Sequence, residues 1–262
     1  MRDTKVVFFD IDGTIWDEKN NIPDSTVQAI RDLHNNGHLA FLNSGRSRAF
    51  IRHPNLLNLG FDGIVSGCGT MVEYHGKTVF YHRIPVEQVE ETLQIIRRFG
   101  FRPILEGRKY LYMNEEDFDY EPYGKKVRRD MGEDIRTIEG CRGEWEISKL
   151  SCATTDCDVA GCYEQLKDRY DFMIHNPEVV EIVPKGFHKG TGILEVCRML
   201  HLPVEQTVAI GDSINDTEML QTAGFSVAMG NGTEEIKQLA DYVTAPMKED
   251  GIYQALTHLD LI

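Results

Sequence analysis

The sequence predicts an α/β protein, a doubly wound and mainly parallel sheet core with an inserted α+β unit, and three observations carry that reading. KVVFFDI at 5–11 is a continuous apolar and β-branched run, the pattern of a strand buried on both faces of a parallel sheet. Strand, helix and strand then follow one another with short connections, and this βαβ grammar returns near the other end of the chain. Between the two stretches the texture changes to a hairpin, separate amphipathic helices and strands in succession.

In chain order, the first strand ends in the turn DGT. Asp24 or Ser25 can cap a helix in which Val27, Ile30 and Leu33 recur at helical spacing, and Gly37 supplies its stop. HLAFLN at 38–43 reads as a second strand ending in Ser44-Gly45. The His75-Gly76 turn followed by 78–81 suggests a hairpin, and 85–99 an amphipathic helix with Val86, Val89, Leu93 and Ile96 inward. A strand at 102–105, a polar and aromatic stretch from 110 to 123, and a strand at 147–152 come next. A helix through Val159, Tyr163 and Leu166 precedes strands at 172–175 and 179–183. The core grammar resumes with a helix at 190–201, a strand at 208–210, a helix from Asp216, a strand at 225–228, and helices near Glu234 and Gly251. The expected division is a discontinuous core at 1–82 and 186–262, with the insertion at 83–185. No internal repeat or low-complexity tract is present.

Composition narrows the function classes. With 262 residues, 41% apolar and 27% charged, the chain is long enough for a core and fits neither disorder nor a small disulfide scaffold. Its charge is 28 − 42 = −14, which repels phosphate backbones and anionic lipid, so neither a nucleic acid nor a membrane is an expected partner, and no protein partner is implied. The apolar run at 6–9, stopped by Asp10, is too short for a signal peptide or a span, and the chain reads as soluble and cytoplasmic. Cys152, Cys157 and Cys162 recur at a five-residue step that invites a metal reading. Zinc ligands usually pair two to four residues apart, and reduced thiols packed as small hydrophobes fit better.

Four loops carry chemistry. Asp10 and Asp12, at the carboxyl end of the first strand, leave the same side of an extended chain. A carboxylate is a competent nucleophile toward phosphorus, and a second one can protonate the leaving oxygen and later activate water. An ordinary Asp-Gly turn is the competing reading. Ser44 and Gly45 offer a hydroxyl and an approachable amide for an anion, or simply a turn. Lys189 opens a predicted helix, where its charge opposes the dipole; a bound phosphate would explain it, as would plain exposure. Asp212 and Asp216 flank a strand-to-helix loop and supply hard oxygen ligands of the kind Mg²⁺ takes, while Asn215 adds a neutral donor; a helix cap by Asp212 or Ser213 is compatible with both.

Taken together, FFDIDGT, LNSGR, HKG and IGDSIND resemble, in order and spacing, the four motifs of the haloacid dehalogenase superfamily of phosphohydrolases. The stretch SVAMGNGTEEIKQLADYVTAPMKEDGI and the late insertion resemble its Cof-type branch, in which an α+β cap is inserted into the core. The resemblance implies a Mg²⁺-dependent phosphatase acting on a small phosphorylated metabolite, a sugar phosphate or cofactor phosphate, through an aspartyl-phosphate intermediate. It implies Asp10 as nucleophile and Asp12 as general acid and base, with Asp10, Asp212 and the Asp12 backbone carbonyl as metal ligands. Ser44, the Gly45 amide, Lys189 and Asn215 would hold the phosphoryl group, and Asp216 would orient Lys189 or metal-bound water. An acid at position 12 disfavours the dehalogenase branch. Asn43 before Ser44, and SGCGTMV where many relatives have an Asn-Gly-Ala type sequence, depart from the pattern. Trp16 can wall the entrance or simply pack.

The implied cap would read the leaving group. There Lys125, Lys126, Arg128 and Arg129 stand near Tyr110, Tyr112, Tyr120 and Tyr123, either as an anion-binding surface or as a solvated face balanced by Glu115, Glu116, Asp117, Asp119 and Asp130. A phosphosugar mutase sharing the intermediate and a non-catalytic phosphate-binding regulatory module are the alternative functions. A receiver-type phosphoacceptor fits the Asp10-x-Asp12 spacing and the large insertion poorly.

Overall fold

The computed structural model describes residues 4–119, 121–176 and 178–262, without the side chains of 175 and 176, so Tyr120 lies outside the described residues. Two compact units emerge: Met1–Gly45, Arg52–Phe80 and His188–Ile262 form one, Arg46–Ile51 and Tyr81–Phe187 the other. The short segment Arg46–Ile51 joins the second unit because Ala49 and Phe50 pack into its cluster of Ile104, Leu111, Phe118 and Val127.

The first unit is built on an eight-stranded sheet in the order Tyr242–Val243, Phe225–Ala228, Thr207–Gly211, Val6–Phe9, Leu39–Asn43, Gly63–Ser66, Met71–Tyr74, Lys77–Tyr81. The first six strands are parallel, and Gly63–Ser66 pairs antiparallel with Met71–Tyr74. Val6–Phe9 is central and buried at all four positions, which is why its sequence is unbroken apolar rather than alternating. Val6 and Phe8 share a core cluster with Phe41, Ile193, Val196, Met219 and Leu220, the last four from the helices Lys189–Leu200 and Thr217–Thr222. Val7 and Phe9 point to the opposite side of the pleat. Helices Asp24–Asn35 and Gly251–His258 pack on each other, and Ala29, Ile30 and Leu33 of the former are buried. Burying a side chain the size of Ile30 or Leu33 contributes roughly 1.5–3 kcal/mol.

Register places the site. Phe9 lies opposite both Leu42 and Ile210, so Asp10, Asn43 and Gly211 leave three adjacent parallel strands at one level of the carboxyl edge. The second unit has a six-stranded sheet in the order Tyr170–Asn176, Val179–Pro184, Ile147–Ala153, Arg102–Gly107, Leu111–Tyr112, Ile135–Arg136, antiparallel except for its last pair. One sheet face carries Leu105, Leu150, Cys152 and Ile182, which pack with Val89, Leu93 and Ile96 of the helix Val86–Arg98. Trp145 is fully buried there and its indole N–H donates to the Ile138 carbonyl at 2.9 Å.

Among the described residues no helix is long and apolar enough to cross a membrane. All six cysteines are free, and burial raises the thiols of Cys152 and Cys162, the latter to about 12. The cysteine series forms no metal cluster among the described residues; the one group of potential ligands found there is made of aspartates.

Candidate active site

Asp10 follows the central strand, its amide donating to the Ile210 carbonyl at 3.0 Å, and its side chain is buried. Lys189, first residue of the helix Lys189–Leu200, is buried too, and its Nζ lies 2.6 Å from both Asp10 Oδ1 and Asp216 Oδ1. The misfit of a lysine at a helix N-terminus is therefore answered by two carboxylates of the protein itself. The other oxygen of Asp216 accepts from the backbone amides of Asp212 and Ser213, each at 3.0 Å, which ties the strand-to-helix loop to the lysine. Asp10, Asp212 and Asp216 each offer an oxygen within 4.8 Å of the others.

Glycines make this density possible. Gly13 has φ +81°, and a Cβ there would lie 2.3 Å from Asp212 Oδ2. At Gly211 it would lie 2.5 Å from the carboxyl carbon of Asp216. Any side chain at either position would push a carboxylate out of the cluster.

The electrostatics follow from one cation set among several anions. Burial, and after it the charge of Asp216, pushes the Asp10 carboxyl up to about 8, while Lys189 pulls the other way. Asp212 is raised to about 6, again by burial first and Asp216 second. Burial works against the charge of Lys189, but Asp10 and Asp216 outweigh it and hold the amine above its ordinary value. One ammonium does not balance three carboxylates, and close-set hard oxygens with surplus negative charge fit a divalent cation of the Mg²⁺ type.

The other expected residues stand on the loops that follow the strands Val6–Phe9, Leu39–Asn43 and Thr207–Gly211. Asp12 is exposed and accepts from the Trp16 indole N–H at 2.9 Å. Ser44, buried, follows the strand Leu39–Asn43, with Gly45 next to it, and Asn215 lies exposed in the turn Ile214–Asp216. Four side chains lend support: the sequence singled out Asn43 as a departure from the pattern and Trp16 as an entrance wall or packing residue, and gave Thr14 and Asn231 no role. The Thr14 hydroxyl donates to Asp212 Oδ1 at 3.1 Å, and the Asn43 amide donates to the Lys189 carbonyl at 3.0 Å. Asn231 donates to the Gly13 carbonyl at 2.8 Å and accepts from the Met247 amide at 2.7 Å, and Trp16 fixes Asp12. Thr14 sits inside the DGT turn and Asn231 inside GNGT, so their neighbourhood in the sequence was the available signal.

In the second unit the basic and aromatic residues part company. Lys125 and Lys126 are exposed on the helix Pro122–Met131, while Arg128 pairs with Glu115 at 3.4 Å and Arg129 with Asp130 at 3.0 Å. Tyr123 turns inward and donates to Ser151 Oγ at 2.8 Å. The balanced, solvated face is the reading these contacts favour.

Buried Asp10 and Asp216 share the Lys189 amine, with Asp212 beside them, and comparison with known proteins gives the class. Residues 7–256 match the family of haloacid dehalogenase-like hydrolases, and the chain belongs to it as a Cof-type hydrolase of the phosphatase kind. Phosphatase YwpJ of Bacillus subtilis is 42% identical, with 97% of this chain and 99% of that protein aligned. The 5-amino-6-(5-phospho-D-ribitylamino)uracil phosphatase YitU of the same organism is 26% identical over 96% of each chain. Among solved structures, the subclass IIB sugar phosphatase BT4131 superposes with a TM-score of 0.83 at 29% identity, covering 99% of this chain and all of that one.

Proposed function

We propose that this enzyme hydrolyses the phosphate monoester of a small phosphorylated metabolite, a sugar phosphate or cofactor phosphate, with Mg²⁺ and through an aspartyl-phosphate on Asp10. The observation that carries the reading is the buried Lys189 held at 2.6 Å from both Asp10 and Asp216, with Asp212 beside them. Asp10 and Asp212, with the Asp12 backbone carbonyl, would hold the ion. When bound, Mg²⁺ supplies positive charge against the phosphoryl oxygens and the carboxylates.

In the first step an Asp10 carboxylate oxygen forms a bond to phosphorus as the bond from phosphorus to the leaving oxygen breaks, and Asp12 gives its proton to that oxygen. In the second, water attacks the same phosphorus and Asp12 takes its proton, which returns the Asp10 carboxylate and releases inorganic phosphate. Lys189 meets the charge spread over the transferring group, and the Ser44 hydroxyl, the Gly45 amide and Asn215 orient it. Asp216, anchored by two backbone amides, keeps the Lys189 amine aimed. The second unit serves in this reading as the cap that selects the leaving group. A cytoplasmic setting agrees with six free cysteines.

The test is a panel of phosphorylated metabolites assayed for phosphate release with Mg²⁺. Activity should vanish in Asp10→Asn and in EDTA, and return when Mg²⁺ is restored to the wild type. Full activity in either condition would overturn the proposal, and a transferred rather than released phosphate would point to a mutase.

A further inference from the structure

Asn231 is exposed, where a side-chain amide ordinarily turns to water, yet both of its ends bond backbone. Its Nδ2 donates to the Gly13 carbonyl at 2.8 Å and its Oδ1 accepts from the Met247 amide at 2.7 Å, so one side chain ties together two segments far apart in the chain. A carbonyl on one side and an N–H on the other fix which way the amide points. The loop that presents it is held closely as well. The Met229 amide donates to the Gly211 carbonyl and the Thr233 amide to the Asp212 carbonyl, each at 2.9 Å, and a Cβ at Gly232 would lie 2.8 Å from that same Asp212 oxygen. The loop 229–233 therefore grips both segments from which the metal ligands are proposed, the turn after Asp10 and the turn at Asp212.

In the first of these turns the grip acts next to a carbonyl. The Trp16 amide donates to the Ile11 carbonyl at 3.2 Å and the Gly13 amide to the Trp16 carbonyl at 2.9 Å, the pattern of a parallel bridge, in which the backbone groups of Asp12 itself face away from Trp16. The peptide between Asp12 and Gly13 is thus held at its N–H, and its trans planarity sets the direction of the Asp12 carbonyl. The following peptide is held at its C=O by Asn231. Between the two planes stands Gly13, at φ +81°, which would otherwise let one turn against the other. We propose that Asn231 is a positioning residue for the metal: by pinning the Gly13 carbonyl to the loop that also holds Asp212, it keeps the Asp12 carbonyl and the Asp212 carboxylate in the relation that one divalent cation needs. The inference rests on the proposed Mg²⁺ site. Groups that orient metal ligands without touching the ion change metal affinity by roughly 10–100-fold.

Calorimetric titration of the whole chain with MgCl₂, in the absence of substrate, tests it. In Asn231→Ala the Kd for Mg²⁺ should rise about tenfold. The melting temperature without Mg²⁺ should fall by less than about 5 °C, because two hydrogen bonds at an exposed residue contribute little. Excess Mg²⁺ should then recover most of the phosphate release lost when the ion is limiting. An unchanged Kd, or a loss of release that no Mg²⁺ concentration recovers, would overturn the proposal. Should Ala not fold, Asn231→Ser serves the same comparison, and failure of both variants to fold would make Asn231 a purely structural residue and overturn it as well. Asp212→Asn is the control and should abolish binding. Binding that survives in Asp212→Asn, or a wild type that binds no Mg²⁺, removes the proposed metal site and the inference together, whereas loss in Asp212→Asn with none in Asn231→Ala rejects Asn231 alone.

Discussion

Each unit of this protein buries a lysine between two carboxylates, and the two triads solve the same electrostatic problem differently. In the first unit Lys189 meets Asp10 and Asp216, with Asp212 added beside them, at loops that follow the carboxyl ends of parallel strands. In the second, Lys149 meets Glu106 and Glu181 in the middle of antiparallel strands, Glu106 directly opposite Lys149 in the ladder. Glu106 is raised above the usual carboxylate range, by burial first, against the pull of Lys149. Around Asp10 three acids share one lysine on loops whose glycines admit no side chain, an arrangement suited to a bound cation. A surplus of charge on loops can be put to chemical use, while the charges inside the sheet meet their ladder neighbours.

The largest effect that would sharpen this contrast is on turnover. Asp10→Asn should lower phosphate release by roughly a thousandfold or more, since the nucleophile itself is lost. Lys189→Met leaves carboxylates buried without their lysine, so it should cost about 3–5 kcal/mol in chemical denaturation without Mg²⁺. Lys149→Met should cost a similar ~3 kcal/mol, but adding Glu106→Gln and Glu181→Gln should restore most of it, because a neutral triad has no unpaired charge. Recovery of stability by Asp10→Asn and Asp216→Asn in the Lys189→Met background should leave the protein inactive. If the two neutralised triads behaved alike in activity, the contrast would fail.

Metal binding is the next scale down. Mg²⁺ at about a hundred times its Kd should stabilise the wild type by roughly 2.7 kcal/mol, a gain that Asp212→Asn should largely lose and Lys149→Met should keep. The smallest effect concerns a neutral neighbour of the second triad. Tyr123→Phe removes one hydrogen bond to Ser151 and should cost about 1 kcal/mol, read as a shift of the denaturation midpoint at constant slope.

Much of the fold was legible because its elements advertise themselves through period and punctuation. The strand Val6–Phe9 and the helices Asp24–Asn35 and Val86–Arg98 lie within a few residues of the reading. Several elements were not legible, Met71–Tyr74 and Pro122–Met131 among them. Met71–Tyr74 hides behind a glycine-rich turn and pairs antiparallel at the far side of a parallel sheet. Pro122–Met131 buries only Gly124, Val127 and Met131 among charged neighbours, too narrow an apolar stripe to stand out. The first triad announced itself through four short motifs, whereas Lys149 stood in an ordinary strand with nothing local to mark it.

The sequence by itself determined which chemical groups each loop carries, their order along the chain, and the glycine at 13 that a crowded turn requires. The tertiary structure alone decided which groups meet. Lys189 reaches Asp10 across 179 residues and Thr14 reaches Asp212 across 198, contacts set by strand register and helix placement. Even Trp16 and Asp12, four residues apart, touch only because the turn folds back on itself. Local pattern encodes local conformation, but charge, burial and hydrogen-bond partners depend on distance in space, and only the folded sheet brings those distances down to bonding range.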